Sequence, residues 1–224
     1  MKDDHIEAII ARYIKDGDTV SIGSNPLGER FVKKLALAVE AKHIPIADID
    51  FIPTSFNMAS LAAQMGLRIS DLNEREIDIG IEFVDQIDGN YNFVKRSSNS
   101  FVRDKMICQS AGLLVAICNE GGFVEKIRGK IPYEVETFGW KRTLMQLDGF
   151  GKAQRRADEK GSPLKTETGN YVIDVEFDKL FNYEELETLT KNIPGVIESG
   201  LFVGLADKIV VHGKSIKLMS RVDN

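Results

Sequence analysis

The strongest constraint on this chain is a serial pattern: short apolar runs, each followed by a polar turn and a helical stretch. Thr19-Val20-Ser21-Ile22 runs into Gly23-Ser24-Asn25-Pro26-Leu27-Gly28, a turn that opens a helix from Glu29 to about Ala41. A strand from Ile46 to Ile52 follows, and Pro53-Thr54-Ser55 caps a helix from about Asn57 to Met65. A short strand, Leu67 to Ile69, and a longer one, Ile77 to Phe83, precede a helix from about Phe101 to Ala111 and the apolar strand Leu113 to Cys118. Ahead of them all, Ile6, Ile9, Ile10, Tyr13 and Ile14 recur at helical spacing until Asp16-Gly17-Asp18 ends the helix. Strand, turn and helix in series predict an α/β fold, a doubly wound, mostly parallel, Rossmann-like sheet covered on both faces.

The character changes after residue 131. Strand (Tyr133 to Thr137), helix (Trp140 to Leu147), a charged loop (Lys152 to Arg156), strand (Tyr171 to Phe177) and helix (Tyr183 to Lys191) predict a small α+β, ferredoxin-like subdomain. It occupies 132–200, inserted into a main domain made of 1–131 and 201–224. Phe202 to Leu205 and Lys208 to Gly213 read as returning strands. A chain of 224 residues is long enough for that arrangement.

Ligands in open α/β sheets bind at the carboxyl ends of strands. Around the end of the Ile77–Phe83 strand stand three carboxylates, Glu82, Asp85 and Asp104, and one lysine, Lys95. Acids so placed can move protons between neighbouring atoms of a bound molecule. Each residue also has a plainer reading. Glu82 alternates with apolar residues and fits the solvent face of a strand. Asp104 fits a first-turn acid facing the helix dipole. Asp85 and Lys95 fit a surface ion pair, Ser24-Asn25-Pro26 a helix cap, and Arg96 and the basic run Lys152 to Arg156 a solvated surface.

Charge and composition narrow the partners. The formal net charge of −5 argues against a general nucleic-acid surface. The two cysteines, Cys108 and Cys118, lie in apolar surroundings and read as buried thiols rather than a disulfide framework. His5, His43 and His212 are too scattered for a metal site. No apolar run reaches a membrane span, and the polar start, Met1 to His5, does not read as a signal peptide. A cytoplasmic location is expected, with no membrane partner.

The order of motifs resembles ribose-5-phosphate isomerase of the A type. The matching pieces are Tyr13 to Val20, Ile52-Pro53-Thr54-Ser55, Ile79 to Asp88, Asn92-Phe93-Val94-Lys95, Arg103-Asp104-Lys105, Pro132 to Trp140, Thr168-Gly169-Asn170-Tyr171 and Ile193 to Phe202. The resemblance implies a cofactor-free and metal-free aldose–ketose isomerisation of a small sugar phosphate in the pentose phosphate pathway. The reaction passes through an enediolate in a homodimer or homotetramer. By position, the proton-shuttling base falls on Asp104. Glu82 and Asp85 fall on two acids that assist at the sugar oxygens, and Lys95 on the lysine that stabilises developing negative charge.

Several positions depart from the family pattern. Glu82 stands where the family has aspartate, and Asp104 where it has glutamate. The phosphate cradle becomes Gly23-Ser24-Asn25-Pro26-Leu27, in which Pro26 lacks a backbone donor. Two phosphate-binding lysines of the family fall near Asp3 and on Gly122. Substitute contacts are Ser24, Asn25, Ser97, Ser98, Ser100 and Arg96, whose guanidinium can grip an anion bidentately, with Lys126 a few residues past Gly122. Two other readings share these residues: a regulatory homologue that binds a sugar phosphate without turning it over, and an isomerase for a different sugar phosphate.

Overall fold

The computed structural model describes residues 1–41, 48–177 and 182–221. In chain order its elements are α1 (Asp3–Tyr13), β1 (Thr19–Ile22), α2 (Pro26–Ala41), β2 (Asp50–Phe51), α3 (Phe56–Gln64), β3 (Arg68–Ile69) and β4 (Ile77–Phe83). There follow β5 (Gln86–Ile87), β6 (Phe93–Val94), α4 (Phe101–Ser110), β7 (Ala111–Asn119), β8 (Lys130–Val135), α5 (Trp140–Leu147) and β9 (Lys152–Arg155). The last elements are β10 (Tyr171–Glu176), α6 (Tyr183–Lys191), β11 (Val196–Ser199), β12 (Leu201–Phe202), β13 (Lys208–His212) and β14 (Ile216–Ser220).

The main sheet has the order β14-β13-β7-β4-β1-β2-β3. Every pairing in it is parallel except that of β13 with β14. From β1 the chain builds outward through β2 and β3; from β4 it builds the other way through β7 and β13. The winding therefore reverses between β1 and β4, and the crevice at such a switch point is where open α/β sheets bind ligands. One face is sealed by α1 and α2, whose Ile6, Ile9, Ile10, Phe31 and Leu35 pack on Val20, Ile22, Ile79 and Ile81. On the other, Phe93 and Phe202 stack with ring centres 4.5 Å apart beneath β7 and β13.

The subdomain sheet has the order β11-β8-β10-β9, all antiparallel, with α5 following β8 and α6 following β10. That βαββαβ order is the ferredoxin-like one. A third sheet, β12-β6-β5, joins the two at their seam.

Several boundaries differ from the sequence expectation. The helix expected at Glu29 starts at Pro26, because proline suits the first helical position and the Asn25 side chain accepts a hydrogen bond from Gly28 N at 2.7 Å. The start of the strand expected from Ile46 lies outside the described residues, as does His43; β2 covers Asp50–Phe51. The stretch expected as a charged loop forms β9, an edge strand paired with β10, because only one of its faces needs to be apolar. The strand expected over Phe202 to Leu205 is confined to Leu201–Phe202. β5 and β6 have two residues each, too short for a period to show in the sequence, and β14 is a largely exposed hairpin partner without apolar–polar alternation.

No helix among the described residues is long and apolar enough to cross a membrane. Cys108 and Cys118 are buried and free.

Candidate active site

Three charged side chains converge below the carboxyl end of β4. Glu82 is the penultimate residue of that strand, Lys95 follows β6 directly, and Asp104 sits in the first turn of α4. Lys95 Nζ donates to Glu82 Oε2 at 2.6 Å and to Asp104 Oδ2 at 2.5 Å. Glu82, Lys95 and Asp104 are only 1%, 3% and 2% exposed. Two of the plainer readings therefore fail: Glu82 does not face solvent, and Lys95 does not pair with Asp85 on the surface; Asp104 does stand in the first turn of α4, but buried and bonded to Lys95.

Local structure explains the convergence. Lys95 is held by its backbone N–H to Gly200 O at 2.9 Å, in the seam where the subdomain rejoins the main domain. The α4 N-terminus is set by Ser100, whose hydroxyl accepts from Arg103 N at 3.3 Å. Ser98 Oγ donates to Asp104 Oδ2 at 2.7 Å and so joins the buried triad to the open loop above it.

The electrostatics are those of one cation shared by two acids. Burial pushes the Glu82 carboxyl up to about 7; Lys95 pulls it down and the Asp104 charge pushes it up again. Among the described residues Glu82 Oε1 is buried without a hydrogen-bond partner, which adds to the cost of ionising it. Burial by itself would lower the Lys95 ammonium, but Asp104 and Glu82 outweigh it and hold the lysine charged. Desolvation can exceed the Coulombic gain of a buried ion pair. A triad of this kind is therefore weakly justified as a stabilising device and better explained as a site for moving protons.

Ser98 also lines a cleft of about 410 Å³ whose lining includes Ser24, Asn25, Ser97, Lys165 and Glu167 but none of the three triad side chains, so Ser98 is the link between the two. Four of the expected ligand-binding residues thus meet in one hollow. Some of their groups already have partners. The Ser24 hydroxyl lies 2.5 Å from Ser55 Oγ and 3.0 Å from Thr54 Oγ1, and Asn25 caps α2. Asp85 and Arg96 stand apart from the triad's bonds. Asp85 is exposed at the end of β4 and one carboxylate oxygen accepts from Arg96 N at 2.6 Å. The Arg96 guanidinium donates to Gln86 Oε1 at 3.1 Å, Lys130 O at 3.2 Å and Arg128 O at 2.5 Å.

At the two departed lysine positions the structure shows other uses. Asp3 pairs with Arg30 at 2.6 Å and Lys34 at 3.1 Å. Gly122 packs so closely that an added Cβ would lie 2.8 Å from Asp85 O. Lys126 lines a different cleft, beside Asp88, Tyr183 and Arg221.

The subdomain supplies residues to which the sequence assigned no role in the site. Its Glu134, wholly buried on β8, accepts from Thr166 Oγ1 at 2.8 Å, Asn170 Nδ2 at 2.9 Å and the Thr168 hydroxyl. The same carboxylate accepts from Ser100 Oγ at 3.4 Å and Val102 N at 3.2 Å, at the start of α4. Glu167 accepts from Arg103 Nη1 at 2.9 Å and from Phe56 N at 3.1 Å, reaching across to α4 and α3. Arg156, expected on a solvated surface, lines the cleft and pairs with Asp174, while Arg155 lies over the Trp140 ring at 4.3 Å. The signal that might have been read was Thr166-Glu167-Thr168-Gly169-Asn170, a dense run of short polar side chains around a glycine with φ +87°.

Known proteins share this family and fold. A family model described as ribose 5-phosphate isomerase A (phosphoriboisomerase A) matches residues 50–215. A ribose-5-phosphate isomerase A from Methanothermobacter thermautotrophicus is 28% identical over 200 residues, spanning 88% of this chain and 87% of its own. One from Prochlorococcus marinus (strain NATL1A) is 33% identical over 205 residues, spanning 88% and 86%. A solved D-ribose-5-phosphate isomerase in complex with phospho-erythronic acid superposes with a TM-score of 0.89 at 28% identity, over 99% of this chain and all of that one. The ribose 5-phosphate isomerase A of Methanocaldococcus jannaschii superposes at 0.87 with 26% identity, over 98% and 100%.

Proposed function

The chain belongs to the ribose 5-phosphate isomerase A family, and from that premise we propose that it interconverts ribose 5-phosphate and ribulose 5-phosphate at the Glu82–Lys95–Asp104 triad. The observation that carries this reading is the buried lysine bonded to two carboxylates at the sheet's switch point.

The roles follow from the chemistry each group can supply. Asp104 takes the proton from C2 of the open-chain aldose and returns it to C1. The electron pair left behind forms an enediolate, whose negative oxygen is met by the Lys95 ammonium. Glu82, whose burial raises its carboxyl to about 7 and leaves both protonation states populated near neutral pH, gives a proton to O1 and accepts one from O2. One hydrogen thus moves from C2 to C1 and one from O2 to O1, and the site ends as it began. Asp85, exposed at the rim, assists ring opening. Ser24, Asn25, Ser97 and Ser98 line the space for the rest of the chain. The residues of the triad supply both a base and an acid, which favours turnover over binding alone.

The fold's reversal of winding and the glycine at the end of β1 allow the chemistry, but the substrate assignment is tested by assay. Purified protein mixed with ribose 5-phosphate is expected to form ribulose 5-phosphate, and to exchange the C2 hydrogen with solvent deuterium. Binding without product or exchange would reduce the protein to a sugar-phosphate receptor. The cytoplasmic location and the homodimer or homotetramer remain parts of this proposal, supported by the family resemblance.

A further inference from the structure

We propose that Lys165, on the subdomain, is the cation that holds the substrate's phosphate, in place of the two lysines missing at Asp3 and Gly122. The proposal rests on the isomerase reading for the identity of the substrate, but not for the binding chemistry.

Its basis is how the charges of the cleft are spent. Two further charged groups line the hollow that opens above Ser98, and both already have partners: Arg156 pairs with Asp174, and Glu167 pairs with Arg103. Lys165 is the lining cation that has no carboxylate within ion-pair distance among the described residues; its ammonium lies 5.8 Å from the centre of the Tyr171 ring. A phosphate monoester entering the hollow therefore meets one uncompensated positive charge in a lining that also includes Ser24, Ser97 and Ser98.

An exposed lysine is usually too mobile to define a subsite, because ordering its side chain costs conformational entropy. Here the backbone on both sides of it is pinned. Leu164 N donates to Arg156 O at 3.1 Å, and Thr166 is bonded through its hydroxyl to the buried Glu134. Glu167 N donates to Asn99 O at 2.7 Å, and its carboxylate grips Phe56 N and Arg103 across the cleft. The backbone that carries Lys165 is thus fixed relative to the loop 97–99 that leads to Asp104. The arrangement also separates the tasks: the main domain holds the reacting carbons and the subdomain holds the charged end.

The test is a binding measurement on Lys165→Ala, with phospho-erythronic acid and unphosphorylated erythronic acid as probes, by calorimetric titration. The side chain is exposed, so the variant should match the wild type in circular dichroism and melting temperature. The expected result is an affinity for phospho-erythronic acid about 10- to 100-fold weaker, the range for one hydrogen bond to a charged group. Affinity for erythronic acid should be unchanged, and Lys165→Arg should keep most of the phosphate preference. Equal binding of phospho-erythronic acid by wild type and Lys165→Ala would overturn the proposal. So would an equal loss for both acids, or a wild type that does not prefer the phosphorylated one. Turnover is read separately. If the phosphate preference depends on Lys165 but no ribulose 5-phosphate forms, the isomerase reading fails and the phosphate subsite stands.

Discussion

Gly23 and Glu82 touch across the switch point: a β-carbon built on Gly23 would overlap the Glu82 Oε2 that accepts from Lys95. Parallel pairing of β1 with β4 aligns Ile22 with Ile81, so the residues that follow these two, Gly23 and Glu82, face each other. Glycine is required at position 23 for space, not for an unusual backbone angle. Gly23→Ala should therefore push the Glu82 carboxylate off the lysine while the strands still pair. A displacement on the order of 1 Å costs about 100-fold in rate, and turnover of ribose 5-phosphate should fall by about that much. Steady-state kinetics beside a urea melt will show it; full activity in a folded variant would mean the Glu82–Lys95 contact has no part in turnover.

Asp104→Asn keeps the shape and removes the base. General base catalysis contributes about 10²- to 10⁴-fold, so kcat should fall within that range while phospho-erythronic acid binds nearly as before. Solvent-deuterium exchange at C2 should fall in parallel. An unchanged rate would transfer the role of base to another carboxylate.

Lys95→Met leaves two carboxylates buried side by side with no cation. Removing one partner of a buried ion pair costs roughly 3–5 kcal/mol, so the variant should be destabilised by that order at pH 8. Both acids become easier to protonate without the lysine, and part of the loss should return at pH 5. Urea denaturation at the two pH values measures this.

Burial raises the Glu82 carboxyl from the usual carboxylate range to about 7. Between roughly pH 4.5 and 7 the folded protein therefore binds more protons at this site than the unfolded chain, and stability contributed by Glu82 decreases as pH rises through that window. Above it the contribution is flat. Glu82→Gln has no proton to lose, so its stability should lack that downward slope. Melts of wild type and variant at half-unit pH steps will compare the slopes; parallel curves would show that Glu82 is ionised throughout.

Glu134 accepts from donors on both oxygens, and Val102 N, on Oε2, cannot turn into an acceptor. The NH2 of Glu134→Gln must therefore either face Val102 N or take the place of Oε1, where the Asn170 amide and the Thr166 and Thr168 hydroxyls have to turn to accept it. An unmatched buried donor costs about 1–3 kcal/mol, a cost thermal unfolding should register. The loop carrying Lys165 loses its anchor at the same time, so KM for ribose 5-phosphate should rise more than kcat falls.

The sheet was legible because a parallel strand buried on both faces must be apolar throughout and must be followed by a crossover helix; α5 and α6 were read to the residue for the same reason of periodicity. Short or exposed strands were not, since β5, β6, β9 and β14 carry too little apolar pattern to stand out. In the site, carboxylates at the end of β4 and on α4 could be named, but not their partners. The sequence paired Lys95 with Asp85, ten residues away, whereas the fold takes that lysine inward to Glu82 and Asp104.

What the residues alone determined was the alternation of strand and helix and, through the family resemblance, the positions of the acids and the lysine. What tertiary structure decided was which charges are buried together and which side chain of a distant subdomain closes the hollow. Local pattern records how each segment meets water; it does not record which segments meet each other. Lys165 reads as one more surface cation until Glu134 and Glu167 pin its loop across the cleft from Ser24 and Ser98.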